Sequence, residues 1–211
     1  MKKIGRFHVL TDTCLQTQFS HLELAELAIA GGADTIQLRE KGGETREMIR
    51  VAEQIQALCK RAGVPFIVND RVDVAIASHA HGVHLGQNDF PIPLARSLLG
   101  KEAIIGGSAG TMEEARKCLL EGADYIGFGP VYFTTSKEDA GPAGGLDLLK
   151  QVVKEIPLPI VAIGGITREN TPRVMQTGVH GIAVISAVCC QKDPAEATQC
   201  LRRLLEVDGH A

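Results

Sequence analysis

Tryptophan is absent from this 211-residue chain, and aromatic residues of all kinds make up only 4% of it. A core built on large rings is therefore excluded. Val, Ile, Leu and Ala must fill it, and a hydrophobic content of 45% is enough for a substantial one. Excess charge is lacking too. A net charge of −3 gives no support to a nucleic-acid or anionic-membrane partner, so any anion must be held by local chemistry. No apolar run is long enough to span a bilayer. The opening "MKKIGRFHVL" has neither the long apolar run nor the small-residue cleavage site of a secretion signal. Six cysteines occur without a CxxC spacing, which favours free thiols in a reducing cytosol over a disulfide framework. The adjacent Cys189 and Cys190 read as structural, and the expected location is the cytoplasm. No GxSxG elbow and no Ser/His/Asp order is present, so nothing suggests a nucleophile–base pair. Linkers and low-complexity tracts are missing as well. Residues 1–211 are expected to form one domain.

What is present is a rhythm. Eight short apolar runs recur, each ending in glycine or polar residues: "RFHVLTD", "DTIQLREK", "PFIVND", "GVHLGQND", "AIIGGSAG", "DYIGFGPV", "PIVAIGG" and "GIAVIS". Segments of helical spacing separate most of them, clearest in "LELAELAIAGG" and "REMIRVAEQIQALCKRAG", and several stop at glycine as helix C-termini commonly do. Strand–helix alternation implies a mostly parallel sheet. Eight strands predict a closed (β/α)8 TIM barrel. The alternative, an open doubly wound sheet, would more often show GxGxxG after an early strand, where this chain has "LTDTC".

Such barrels place their active sites at the C-terminal ends of the strands. Chemistry-bearing residues follow the apolar runs as that requires. Gln37, Arg39 and Lys41 are spaced by two, and an extended chain would point all three to one face. Alone, "REK" reads as a solvated charge cluster. Asn69 and Asp70 end the third run, and Asp89 lies three residues after Gly86 beyond the fourth. Either carboxylate could be a helix cap or turn residue. Together, beside cations, they suggest charge pairing or a divalent metal. Mg²⁺ typically takes one or two carboxylates and completes its shell with water and phosphate oxygens.

Ser108 ends the fifth run, where a phosphate contact and a tight turn compete as readings. The sixth leads into Thr134, Ser136 and Lys137. The seventh ends at Gly164 and Gly165, and the eighth at Ser186. Loops after the last strands commonly cradle phosphate through backbone N–H groups and a helix N-terminus. The pattern thus predicts two anion sites. His79 and His81 fall at the non-catalytic end, which argues against zinc. His84 and His8 read as core or supporting residues, and Asp12 has no assignable role.

Taken together, "QLREK", "VNDRVDVA", "GVHLGQND", "GADYIGFGPV", "TTSK" and "PIVAIGGI…N" closely resemble the thiamine-phosphate synthase family, in order, along nearly the whole chain. The resemblance implies a (β/α)8 barrel that joins a pyrimidine diphosphate to a thiazole phosphate with Mg²⁺, releasing pyrophosphate. It implies that Gln37, Arg39, Lys41, Asn69, Ser108 and Lys137 contact the pyrimidine diphosphate, with Arg39, Lys41, Lys137 and Ser108 as the catalytic set. Asp70 and Asp89 would hold Mg²⁺. Thr134, Thr135, Ser136, Gly165, Ile185 and Ser186 would receive the thiazole phosphate. The implied partners are small molecules alone, with a homo-oligomer left open.

Two departures stand out. The family's usual "PTxTK" is here Phe133-Thr134-Thr135-Ser136-Lys137, and many members carry His where this chain has Gly110. The related thiazole tautomerases tend to share the "SK" of the sixth-strand loop, but they use a His in that fifth segment and lack the paired carboxylates, which favours the synthase reading. A tautomerase, a non-catalytic phosphate-ligand binder and another phosphometabolite barrel are the alternatives.

Overall fold

The computed structural model describes residues 2–136 and 141–206. Its eight strands are β1 (Phe7–Thr11), β2 (Thr35–Leu38), β3 (Phe66–Asn69), β4 (Gly82–Leu85), β5 (Ile104–Ala109), β6 (Tyr125–Phe128), β7 (Ile160–Ile163) and β8 (Gly181–Val184). Each pairs in parallel with the next, and β1 pairs with β8 to close the barrel. Every predicted apolar run contains one of these strands. Between them lie α1 (His21–Ala30), α2 (Thr45–Ala62), α3 (Val72–Ala77), α4 (Ile92–Leu99), α5 (Met112–Leu120), α6 (Gly145–Glu155) and α7 (Thr171–Met175). A short α8 (Ser186–Cys189) and the longer α9 (Pro194–Glu206) follow β8. The (β/α)8 expectation holds.

Alternation along the strands divides the interior in two. Outward-facing Val9, Ile36, Val68 and Ile126 meet helix residues such as Ala52, Ile55 and Val174 in one large core. Inward-facing Leu10, Ile67, Tyr125 and Val161 form a separate, smaller cluster. Both strand faces are buried, which is why the strands read as unbroken apolar runs.

Local chemistry sets the helix ends. Ser20 and Glu23 form a capping box at α1, in which the Ser20 N–H donates to the Glu23 carboxylate at 2.8 Å. Such a cap contributes about 1 kcal/mol. On α2, Met48, Ala52, Ile55 and Cys59 make one buried stripe at helical spacing. The helix stops at Gly63, whose φ of +68° is a left-handed conformation that a side chain would oppose.

The eighth strand is shorter than the sequence pattern suggested. It ends at Val184, and Ser186 opens α8. At the opposite end of the barrel, His81 Nδ1 accepts from the Phe66 N–H at 3.1 Å. That contact ties down the start of β3, away from the mouth.

Candidate active site

A cavity of about 480 Å³ opens at the C-terminal ends of the strands. Lys41, Asp70 and Asp89 line one end, and Gly165, Thr134 and Ser186 line the other. A chamber of about 20 Å³ lies inside the barrel. Gln37, His84, Tyr125 and Ser108 border it, and Ser108 also borders the main cavity.

Asp70 leaves β3 with φ +65°, its N–H donating to the His84 carbonyl at 2.8 Å. It is not the cap that its position suggested. α3 starts from Arg71 with no side-chain cap, and Asp70 Oδ2 instead accepts from Lys41 Nζ at 2.5 Å. Asp89 does close a turn, taking the Gly86 N–H on Oδ2 at 2.7 Å, yet it also lines the cavity beside Asp70. The two carboxyl groups are hydrogen-bond partners. Burial opposes ionisation of Asp70, but Lys41 and Asp89 outweigh it and hold its carboxyl below the ordinary range. Asp89 moves the other way. Burial raises it, Asp70 adds to that, and the Gly86 N–H only partly offsets them.

Such a pair fits a divalent cation, because like charges held together are relieved by a positive ion between them. Among the described residues no cluster of three or more His, Cys, Asp or Glu side chains could hold a metal. Two carboxylates in a cavity with room for further oxygen ligands suit a hard divalent cation.

The "QLREK" triad does not share one face. β2 ends at Leu38, so the extended geometry that would align the three side chains stops there. Gln37 is buried beside the inner chamber, and among the described residues its Oε1 has no hydrogen-bond partner. Lys41 reaches the cavity. Arg39 is buried against Asp12, its Nη1 donating to Asp12 Oδ2, and it does not line the cavity. Asp12 thereby gains a role that sequence reasoning could not assign. Its other oxygen accepts from the N–H groups of Cys14 and Leu15 at 2.9 and 3.0 Å. Asn69, the last residue of β3, is buried and also absent from the cavity lining.

Ser108 lies within β5, not in a turn. Its Oγ is 2.9 Å from His84 Nε2, and His84 Nδ1 is 2.9 Å from the Tyr125 hydroxyl. Gly110, the tautomerase-distinguishing position, is a cavity-wall residue whose N–H donates to Glu114 Oε2 at 2.7 Å.

At the other end, Gly164 and Gly165 have φ of +95° and +64°. A Cβ on Gly165 would stand 2.6 Å from the Phe133 carbonyl oxygen, so the loop after β6 closes over a site only glycine fits. Asn170 holds this turn, donating from Nδ2 to the Gly165 carbonyl and accepting the Thr167 N–H on Oδ1, both at 2.8 Å. Thr134 and Ser136 line the cavity, and Ser136 Oγ lies 3.2 Å from Ser186 Oγ. Ile185 and Ser186 complete the wall. Thr135 is exposed and does not line the cavity. Lys137 lies outside the described residues. Cys189, behind this wall, donates to the Leu10 carbonyl at 3.0 Å, and burial pushes its thiol up to about 12, as suits a structural cysteine.

A closed parallel barrel with a cavity at its C-terminal face that gathers carboxylates, a lysine and hydroxyls defines a (β/α)8-barrel enzyme. Residues 7–188 match the family model described as thiamine monophosphate synthase. The chain is 48% identical over 205 residues to a thiamine-phosphate synthase of Salinibacter ruber, spanning 97% of this chain and 90% of that one. It is 51% identical over 198 residues to a thiamine-phosphate synthase of Methanocella arvoryzae, spanning 94% and 93%. The solved thiamine phosphate pyrophosphorylase from Pyrococcus furiosus superposes with a TM-score of 0.88 at 40% identity, over 96% of each chain. The chain belongs to the thiamine monophosphate synthase family, and its activity is that of a transferase making thiamine phosphate.

Proposed function

We propose that the cavity takes 4-amino-2-methyl-5-(diphosphooxymethyl)pyrimidine with its diphosphate at the Asp70–Asp89 end. The phosphate of 4-methyl-5-(2-phosphooxyethyl)thiazole lies at the Gly165–Ser186 end. The observation that carries this reading is the pairing, in one cavity, of two carboxyl groups and a lysine with an opposing wall of hydroxyls and glycine backbone.

In the reaction the methylene C–O bond breaks and its electron pair leaves with pyrophosphate. The aminopyrimidine ring stabilises the resulting methylene cation. The thiazole nitrogen then donates its lone pair and the C–N bond forms. No strong general base is needed for that ionisation.

Stabilising charge on the departing diphosphate is the main demand. Lys41 and Ser108 meet it from the cavity wall. Arg39, fixed by Asp12, contributes its positive charge from behind that wall, and Lys137 joins the set by resemblance. Mg²⁺, held by Asp70 and Asp89, would neutralise the diphosphate further. Thr134, Ser136, Gly165, Ile185 and Ser186 orient the thiazole through its phosphate, which is the proximity contribution. We place the reaction in the cytosol, a setting that suits six free thiols.

Supplying both precursors with and without Mg²⁺ and following pyrophosphate tests the reading. Release that depends on both precursors and the metal supports it. Metal-independent isomerisation of the thiazole precursor without coupling would replace it with a tautomerase.

A further inference from the structure

Beneath Ser108 the barrel holds a buried polar chain that the proposed reaction leaves unexplained. His84 joins two hydroxyls, with Ser108 Oγ at 2.9 Å from Nε2 and the Tyr125 hydroxyl at 2.9 Å from Nδ1. Tyr125 is 1% exposed and His84 is 7% exposed.

The strands make room for this chain. His84 pairs in register with Gly106, and Gly106 with Tyr125. The missing side chain at Gly106 is thus the space in which histidine and tyrosine meet. A Cβ there would overlap both Tyr125 Cζ and His84 Nδ1. A Cβ on Gly127, which pairs with Ser108, would stand 2.8 Å from His84 Cε1. Glycine inside a strand weakens it, and here two inward positions carry that cost around one imidazole.

Hydrogen-bond directions follow from the inventory of donors. Burial raises the Tyr125 phenol well above its ordinary value, so the hydroxyl keeps its proton. A buried hydroxyl proton needs an acceptor, and among the described residues the one bonded to Tyr125 is His84 Nδ1. With Nδ1 accepting, the imidazole carries its hydrogen on Nε2 and donates to Ser108 Oγ. The serine's own hydrogen is then turned away from His84, toward the cavity that Ser108 lines.

We infer that Tyr125 and His84 are positioning residues that fix the His84 tautomer and so present Ser108 as a hydrogen-bond donor to the departing diphosphate. The reverse arrangement, with Nε2 accepting, would draw the serine proton inward and offer the substrate only lone pairs. An anion would be repelled by those. The inference rests on the proposed contact between Ser108 and the diphosphate, and the tests separate the two.

The first test uses the wild-type enzyme without turnover. ¹⁵N resonances of the His84 ring should show a bare Nδ1 and a protonated Nε2, and Tyr125→Phe should shift them toward a mixture. A protonated Nδ1 with a bare Nε2 overturns the inference whatever the kinetics show. The second test is a double-mutant cycle. Tyr125→Phe keeps the ring volume and should lower kcat about tenfold with little change in KM, as expected for a bond made in the transition state. In the Ser108→Ala background the same change should cost nothing more. A Tyr125→Phe loss of equal size in both backgrounds marks a merely structural role and overturns the inference. Normal turnover by Ser108→Ala overturns the substrate contact itself, and the inference with it.

Discussion

Asp70 and Asp89 bring two carboxyl groups from successive strand ends into contact, with Lys41 Nζ 2.5 Å from Asp70 Oδ2. Ionised Asp89 costs the metal-free protein stability. Asp89 has a raised folded-state pKa, so the stability it contributes is present in acid and lost as pH rises through that value. Asp89→Asn should therefore stabilise the metal-free protein at neutral pH, and not in acid. Mg²⁺ should raise the Tm of the wild type, and this variant should abolish that rise. Thermal unfolding with and without Mg²⁺ at both pH values measures each effect. An unchanged metal response would remove Asp89 from the site.

Asp70 combines an unusual backbone with a reactive side chain. Asn tolerates φ +65° nearly as well as Asp, whereas Ala does not. Asp70→Asn should fold normally and lose most turnover. Asp70→Ala should lose the same turnover and a further ~1 kcal/mol of stability. Denaturant titration beside the coupling assay distinguishes the two variants, and equal stability would argue against backbone strain.

Gly165→Ala should impair thiazole binding more than chemistry. The new methyl would press on the Phe133 carbonyl at a φ of +64°, moving the loop that carries Thr134 and Ser136. The expected signature is a KM for the thiazole phosphate raised about tenfold or more, with KM for the pyrimidine nearly unchanged. Equal changes in both constants would contradict the two-ended map.

His8 should make the barrel sensitive to acid. Burial lowers its pKa from 6.5 to about 4, against the raising effects of the Gly5 carbonyl and Asp34. A depressed folded-state pKa stabilises the fold above the unfolded value and loses that contribution as pH falls through the folded one. About 3 kcal/mol should disappear between those two values. Urea midpoints across this window should fall less steeply for His8→Gln than for the wild type. Parallel slopes would remove His8 as the cause.

Two neighbouring hydroxyls should behave differently. Ser136 lines the cavity and bonds Ser186, whereas Thr135 is exposed and outside the lining. Ser136→Ala should weaken thiazole phosphate binding by about 1 kcal/mol, or roughly fivefold, and Thr135→Ala should change it little. Isothermal titration with the thiazole phosphate decides, and a larger effect at Thr135 would reverse the assignment.

The architecture was legible because parallel strands buried on both faces read as uninterrupted apolar runs. Asp70, Asp89 and Ser108 were legible because their order after those runs puts them at the mouth. The Arg39–Asp12 pair was not. It depends on where β2 stops being extended, and alternation carries no information past that point. Thr135 was grouped with its neighbours through the family resemblance alone, and a motif match does not say which side chains of an irregular loop face the cavity. The His84 chain required the register, which sets Gly106 between His84 and Tyr125. One signal was available in sequence. His84 lies two residues from Gly82 in a four-residue strand, so the two share a face, and a histidine on a face otherwise reserved for glycine invites a partner.

The two separate clusters of buried side chains have an evolutionary consequence. Helices and strand exteriors interlock in one, while the lumen residues contact mainly one another and the cavity. Substitutions drifting through the outer layer test whether the chain folds. Substitutions in the lumen test what the folded chain does. A lineage can therefore explore new substrates by altering inward positions while the shell, selected separately, keeps the barrel standing.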